Sequence, residues 1–300
     1  GGNALREKGE PFTFEHQAAK ARFSMGFVAE LVRAGHQVAI THGNGPQVGL
    51  EFFRQVYSSE RFPVFPLDAL GAITQGWIGY ALERGLREAL DGARLATLVT
   101  MVEVSADDPA FKNPTKPIGD FFTEAEARKL RERFGWTFKP DPRGGWRVVV
   151  PSPKPVRILS APAVRELLER GFVVIAAGGG GIPVVKRGEA YEGVFAVIDK
   201  DRASALLAKE IDAELLLILT GVPYVYLDFG KPSQRELREL TASEAERYLA
   251  EGQFPPGSMG PKIEAACWFL KEGGREVIIT SLDKAGEALE GKAGTRILPG

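Results

Sequence analysis

Short apolar runs alternate with amphipathic segments along most of the chain. From His16 to Ala34 apolar residues recur at helical spacing, at Ala19, Phe23, Phe27 and Leu31, and Gly35 supplies a stop. Gln37–Thr41 then reads as a strand, completing one helix–strand step. The step recurs with a helix over about Asp68–Leu90 and a strand over Leu95–Val102, then a helix over Ala161–Arg170 and a strand over Phe172–Ala177. Two more follow: helix Lys200–Ile211 with strand Leu215–Thr220, and helix Pro261–Lys271 with strand Glu276–Thr280. Runs this apolar between helices describe strands covered on both faces. The pattern predicts an α/β fold, a three-layer αβα sandwich with a mostly parallel open sheet.

From Glu103 to Pro155 the rhythm breaks. Asp107-Asp-Pro109, Asn113-Pro-Thr-Lys-Pro117, Asp141-Pro-Arg-Gly-Gly145 and Pro151-Ser-Pro-Lys-Pro155 bring a density of prolines and turns that no strand–helix unit tolerates. An inserted lid subdomain over 103–155 is expected, with a helix Thr123–Phe134 and a strand Trp146–Val150 of its own. A boundary near Pro155–Ser160 would separate two lobes, and ligands of open α/β sheets lie at the carboxyl ends of the strands.

Composition bounds the function. The chain has 300 residues, 44% hydrophobic and 26% charged, enough for a large core. Its 38 Lys and Arg nearly cancel 39 Asp and Glu, for a formal net charge of −1. No broad basic field is available for non-specific binding to nucleic acid or an anionic membrane. No run approaches the ~20 apolar residues of a membrane-spanning helix. A single cysteine, Cys267, cannot form an intrachain disulfide, and with three histidines it leaves little for a zinc site. A cytoplasmic enzyme without a structural metal is expected. The opening Gly1-Gly2-Asn3-Ala4 reads as a turn after a strand, so a strand upstream of Gly1 is expected as well.

Glycine sharpens the picture. Many of the 35 glycines fall in four clusters: Gly1-Gly2-Asn3, His42-Gly-Asn-Gly-Pro-Gln47, Gly178-Gly-Gly-Gly-Ile-Pro183 and Ser258-Met-Gly-Pro-Lys262. Three follow a strand or an inferred strand and the fourth opens a helix. Such loops bring backbone N–H groups close to an anion, and a helix N-terminus adds partial positive charge. Tight turning alone would also explain any one of them; four together favour anion binding. There is no G-x-x-x-x-G-K-[ST] and no G-x-G-x-x-G, and neither G-x-S-x-G nor H-E-x-x-H occurs. Three lysines stand in unusual contexts: Lys116 in the insertion, Lys200 between Asp199 and Asp201 at a helix start, and Lys262 at another. A lysine there opposes the helix dipole and asks for a compensating anion. Phosphoryl transfer needs such point charges more than covalent chemistry.

These segments resemble the carbamate kinases of the amino acid kinase family. The resemblance is carried by Gly1-Gly-Asn-Ala4, Thr41-His-Gly-Asn-Gly-Pro-Gln-Val-Gly49, Asp107–Gly119, Ala177–Pro183, Val197-Ile-Asp-Lys-Asp201 and Gly257-Ser-Met-Gly-Pro-Lys262, essentially the whole chain. Asn113-Pro-Thr-Lys-Pro-Ile-Gly119 sets it apart from relatives acting on aspartate, acetylglutamate, glutamate or UMP. It implies a homodimer that transfers a phosphoryl group reversibly between MgATP and carbamate, giving carbamoyl phosphate and ADP, often run toward ATP synthesis in arginine catabolism. It implies a kinase fold over 1–102 and 156–300, with a carbamate lobe first and a nucleotide lobe from about 156. By the same resemblance Lys200 binds the transferring phosphoryl, positioned by Asp199; Lys262 holds the nucleotide phosphates, and Lys116 reaches in from the lid. Gly2, Asn3, Gly43, Asn44 and Gly45, with Gly179 and Gly180, would line the carbamate and γ-phosphate site. Thr220, Gly221, Val222, Tyr226, Met259 and Gly260 would meet the nucleotide. ATP or ADP and Mg²⁺ enter with the substrate, and no metal-ligand set is assigned. The alternatives are another small-carboxylate or phosphate kinase of the family, or a catalytically silent nucleotide-binding sensor. His42, beside its glycine loop, reads as a backbone-bonded histidine.

Overall fold

A computed structural model describes residues 12–141 and 144–300, with Asp120 given by its backbone alone. Gly2, Asn3 and the strand expected ahead of Gly1 lie outside the described residues. The described residues begin with α1 (Phe14–Arg33), β1 (Ala39–Ile40), α2 (Gly45–Ser58), α3 (Leu67–Ala89), β2 (Arg94–Thr97) and β3 (Met101–Val104). The Thr13 hydroxyl caps α1 by accepting from the His16 N–H at 3.2 Å. Ala21, Met25 and Val28 of α1 pack against Ile78, Leu82 and Leu86 of α3. The helix α2 was not expected from the pattern, because it opens inside the Gly-Asn-Gly-Pro loop. Proline is tolerated in the first turn, so the loop passes directly into helix.

The expected single strand Leu95–Val102 is broken. After β2 the Leu98 N–H still reaches the Ile175 carbonyl at 2.9 Å, but Thr100 leaves the ladder. Its hydroxyl donates to the Leu98 carbonyl at 3.0 Å and its N–H goes to the Gln75 side chain at 2.7 Å. A threonine that hydrogen-bonds the local backbone competes with sheet pairing.

The insertion contributes β4 (Lys116–Phe122), α4 (Glu124–Phe134), β5 (Phe138–Pro140), β6 (Trp146–Val150) and β7 (Pro155–Ile158). β4, β6 and β5 form a separate antiparallel sheet, and a Thr123–Glu126 capping box starts α4. Phe122, Phe138, Val148 and Val150 share one core with Val48 and Phe52 of α2 and with Leu67 and Leu70 of α3. The insertion is thereby seated on the helix that follows the first described glycine loop. β7 returns to pair with β3.

The remainder runs α5 (Ala161–Glu169), β8 (Phe172–Ile175), β9 (Ile182–Arg187), β10 (Ala190–Gly193), α6 (Lys200–Glu210), β11 (Leu215–Thr220), β12 (Val225–Leu227), β13 (Arg235–Leu237), β14 (Glu239–Thr241), α7 (Ala242–Ala250), α8 (Met259–Lys271), β15 (Glu276–Ser281), α9 (Ala285–Leu289) and β16 (Thr295–Leu298). β8 lies between β1 and β2 with both pairings parallel, and β3 pairs β9 in parallel. β11–β15 and β14–β16 are parallel, β15–β16 antiparallel. The mostly parallel character stands, though among the described residues the strands divide into several hydrogen-bonded sheets. A cleft of about 700 Å³ separates the β1 and β11 edges, walled by Val38, Ile40, Leu215 and Leu217 and by residues of α1 and α6. Among the described residues no helix is long and apolar enough to cross a membrane.

Candidate functional site

The start of α6 gathers the charged residues. Asp199 is its N-cap and accepts from the N–H groups of Asp201 at 2.9 Å and Arg202 at 3.4 Å. Its other oxygen takes the Lys116 ammonium of the insertion at 3.0 Å. Burial opposes a charge here, but the Lys116 charge and hydrogen bond and the two amides outweigh it, so the carboxyl lies below its ordinary range. Asp201, 7% exposed, accepts from Lys200 at 2.8 Å on one oxygen and from Lys262 of α8 at 3.0 Å on the other. Burial and then the Lys200 charge lower the Lys262 pKa, with Asp201 opposing both.

The pair Lys116–Asp199 and the trio Lys200–Asp201–Lys262 therefore meet at the start of α6, drawn from the insertion, α6 and α8. Asp199 does not hold Lys200 as the resemblance implied; Asp201 does. The reason is geometric, because the N-cap carboxylate is turned into the first helical turn and toward Lys116. Lys262 supplies the long-range partner that gives Asp201 its place. The anion that offsets both helix-start lysines, Lys200 and Lys262, is thus Asp201. A third link holds the cluster to β1: Ser204 donates to the Lys200 carbonyl at 2.7 Å, and its oxygen lies 2.6 Å from the Thr41 hydroxyl.

Two glycine loops close on the cluster. The first, His42-Gly43-Asn44-Gly45, leads from β1 into α2, and its His42 and Gly43 line the same cleft as Lys200 and Asp201. His42 is buried, and its Nδ1 sits 3.1 Å from the Gly43 carbonyl. Burial pushes its pKa down to about 4, so the ring is neutral at pH 7 and acts as a structural filler rather than a cation. The second loop, Gly178–Gly181, leads from β8 into β9. Its amides were expected to face phosphate, yet three are taken internally: Gly179 N–H by the His42 carbonyl at 2.7 Å, Gly180 by Ala177 at 3.1 Å and Gly181 by Gly178 at 3.0 Å. Close approach is the reason for glycine here. A Cβ on Gly179 would lie 2.3 Å from the Asn44 amide, and one on Gly180 would lie 2.4 Å from the Ile198 carbonyl, just before Asp199. Gly179 and Gly180 thus shape the site by letting its two sides touch.

The expected nucleotide residues lie on the second half of the chain. Thr220 ends β11, with Gly221 and Val222 in the turn after it. Tyr226, on β12, is 5.7 Å from the Phe229 ring and 6.5 Å from Tyr224 by ring centroid. Met259 opens α8, two residues earlier than the pattern suggested, and packs against the core beside it. The Gly260 N–H donates to the Pro255 carbonyl at 2.9 Å, which sets the turn that delivers Lys262. Sequence reasoning passed over Thr74, Gln75 and Thr100, all buried and polar. A polar pair in an otherwise apolar stretch of α3 was the signal available.

The amino acid kinase family model matches residues 1–281. The chain belongs to the amino acid kinase family. A carbamate kinase of Pyrococcus horikoshii is 45% identical, with the alignment covering 100% of this chain and 97% of that protein. A carbamate kinase-like protein of Escherichia coli, YqeA, is 48% identical, covering 99% of this chain and 96% of that protein. The solved structure of a Giardia lamblia carbamate kinase bound to AMP-PNP superposes with a TM-score of 0.94 at 38% identity, covering 100% of this chain and 96% of that one.

Proposed function

We propose that this chain transfers a phosphoryl group reversibly between MgATP and carbamate, with carbamoyl phosphate and ADP as products. The observation that carries the reading is the bracketing of the α6 aspartates by Lys116, Lys200 and Lys262, in a chain whose full-length relatives include carbamate kinases. Carbamate is an anionic oxygen nucleophile at neutral pH. Its oxygen forms the new bond to the γ-phosphorus as the bond to the ADP oxygen breaks, and no proton has to be removed. Repulsion between two anions is the obstacle, and positioned cations offset it. Lys200 binds the transferring phosphoryl, Lys262 the nucleotide phosphates, and Lys116 comes from the lid. Asp201 orients two of these ammonium groups, and Asp199 the third.

In this reading 1–102 and 156–300 form the kinase fold, the carbamate lobe first and the nucleotide lobe from about 156, with 103–155 as the lid. Gly43, Asn44 and Gly45 face carbamate and the γ-phosphate; Thr220, Gly221, Val222, Tyr226 and Met259 face the nucleotide. Mg²⁺ arrives as part of MgATP. Both site aspartates are engaged by lysines, and among the described residues no group of three His, Cys, Asp or Glu is placed to hold an ion. The reading includes a cytoplasmic homodimer working toward ATP synthesis in arginine catabolism. Exposed Phe23 on α1 and Ile73 and Tyr80 on α3 support a self-association face.

The test is ATP formation from ADP, carbamoyl phosphate and Mg²⁺ by the wild-type chain and by Lys200→Ala. The expected result is turnover by the wild type and a kcat lower by about a hundredfold or more in the variant, with ATP affinity changed by less than about tenfold. Unchanged kcat in Lys200→Ala sinks the assignment of that lysine. Turnover only with aspartate, acetylglutamate, glutamate or UMP makes the chain a different kinase, and nucleotide binding without any turnover makes it a sensor.

A further inference from the structure

The two glycine loops of the site belong to different parts of the fold, one between β1 and α2 and the other between β8 and β9, and α3 passes beside both. Two consecutive residues of α3 reach them. Thr74, fully buried, accepts from the Asn44 side-chain amide at 2.9 Å. Its own proton is committed within the helix, to the Leu70 carbonyl at 3.0 Å or the Gly71 carbonyl at 2.9 Å. The hydroxyl can therefore only accept from Asn44. That sets which way the Asn44 amide faces, with Nδ2 on Thr74 and Oδ1 turned away.

Gln75, 3% exposed, serves the other loop. Its Nε2 donates to the Gly178 carbonyl at 3.0 Å and to the Thr100 carbonyl at 3.3 Å, and its Oε1 accepts from the Thr100 N–H at 2.7 Å. The Thr100 hydroxyl in turn accepts from the Ala177 N–H at 3.0 Å. The Ala177–Gly178 segment is thus held at both ends while Ala177 keeps a left-handed conformation, φ 50°. Consecutive residues on a helix point about 100° apart, which lets neighbours serve separate loops. The loops also touch directly, where Asn44 lies against Gly179.

We propose that Thr74 and Gln75 are positioning residues for phosphoryl transfer: together they register the two glycine loops against each other and set the orientation of the Asn44 amide. The proposal rests on the kinase reading above. In that reading neither residue touches substrate; Thr74 acts through the Gly43–Gly45 loop that does, and Gln75 through the Gly178–Gly181 loop packed against it. Thr74→Val keeps the shape and removes the acceptor, Thr74→Ser keeps the hydroxyl, and Gln75→Met keeps the length without polar atoms. The expected result is a kcat lower by about tenfold or more in Thr74→Val and Gln75→Met, KM for ADP within about threefold, and Thr74→Ser within about threefold of wild type throughout. A lower melting temperature with unchanged kcat in folded enzyme would mean a purely structural role and overturns the proposal.

Amide hydrogen exchange at Ala177 and Gly179 provides a readout independent of turnover. Faster exchange there in Thr74→Val and Gln75→Met, but not in Thr74→Ser, is expected. Equal exchange in all of them overturns the clamp. A wild-type chain inactive with carbamoyl phosphate defeats the kinase reading, and the exchange measurement then still decides whether the clamp exists.

Discussion

Asp201 has two ammonium groups on one carboxylate and is nearly sealed from solvent, its side chain 10% exposed. Removing its charge would leave Lys200 and Lys262 facing each other without the anion between them. Lys262 already has its pKa held down by burial and by Lys200, and Asp201 is the first opposing influence. Asp201→Asn should therefore lower that pKa further, so that Lys262 loses its proton at lower pH. The expected outcome is a kcat reduced by about tenfold or more and an alkaline limb of the pH–rate profile displaced to lower pH. An alkaline limb in the wild-type position would show that Asp201 does not govern Lys262. The cationic residues of this cluster were legible as lysines in odd contexts. Their pairing was not, because Lys116 lies 83 positions from Asp199 and Lys262 61 positions from Asp201.

Among the elements, the periodic helices and the apolar strands were readable, with α5, α6, β11 and β6 close to their expected bounds. Among those that escaped were α2, which opens inside the Gly-Asn-Gly-Pro loop, α7 and the β9–β10 hairpin. The Gly178–Gly181 loop shows the same limit. Its composition suggested amides offered to an anion, whereas three of those amides bond to carbonyls and the glycines permit close packing. Gly180→Ala should then disturb the site from behind. Its φ of 95° disfavours any side chain, and the new methyl would press on the Ile198 carbonyl that precedes the α6 N-cap. The expected cost is about 2 kcal/mol or more of unfolding free energy, read from the denaturant midpoint, with kcat reduced. A midpoint equal to wild type would contradict the close approach.

At the scale of the whole molecule, stability should depend on acid through His42. Its pKa falls from an ordinary 6.5 to about 4 on burial between the glycine loops. The unfolded chain then binds a proton that the folded one refuses, so its contribution is complete above about pH 6.5 and is lost as pH falls toward 4. The loss attached to this residue is about 3 kcal/mol across that window. Denaturant unfolding at pH 7, 5 and 4, compared between wild type and His42→Asn, should show a steeper acid loss in the wild type. Parallel pH dependence in both would remove His42 as the cause.

The sequence by itself determined the α/β class, the glycine loops, the unusual lysines and membership in the amino acid kinase family, since periodicity and motif spacing are local properties of the chain. Tertiary structure alone decided which aspartate serves which lysine, that the Gly178 loop packs rather than presents three of its amides, and that α3 grips both loops through Thr74 and Gln75. The contacts that decide them, Lys116 with Asp199, Lys262 with Asp201, Gly179 with His42, Asn44 with Thr74 and Gln75 with Gly178, join residues tens to more than a hundred positions apart, and such distances are set only when the chain has packed.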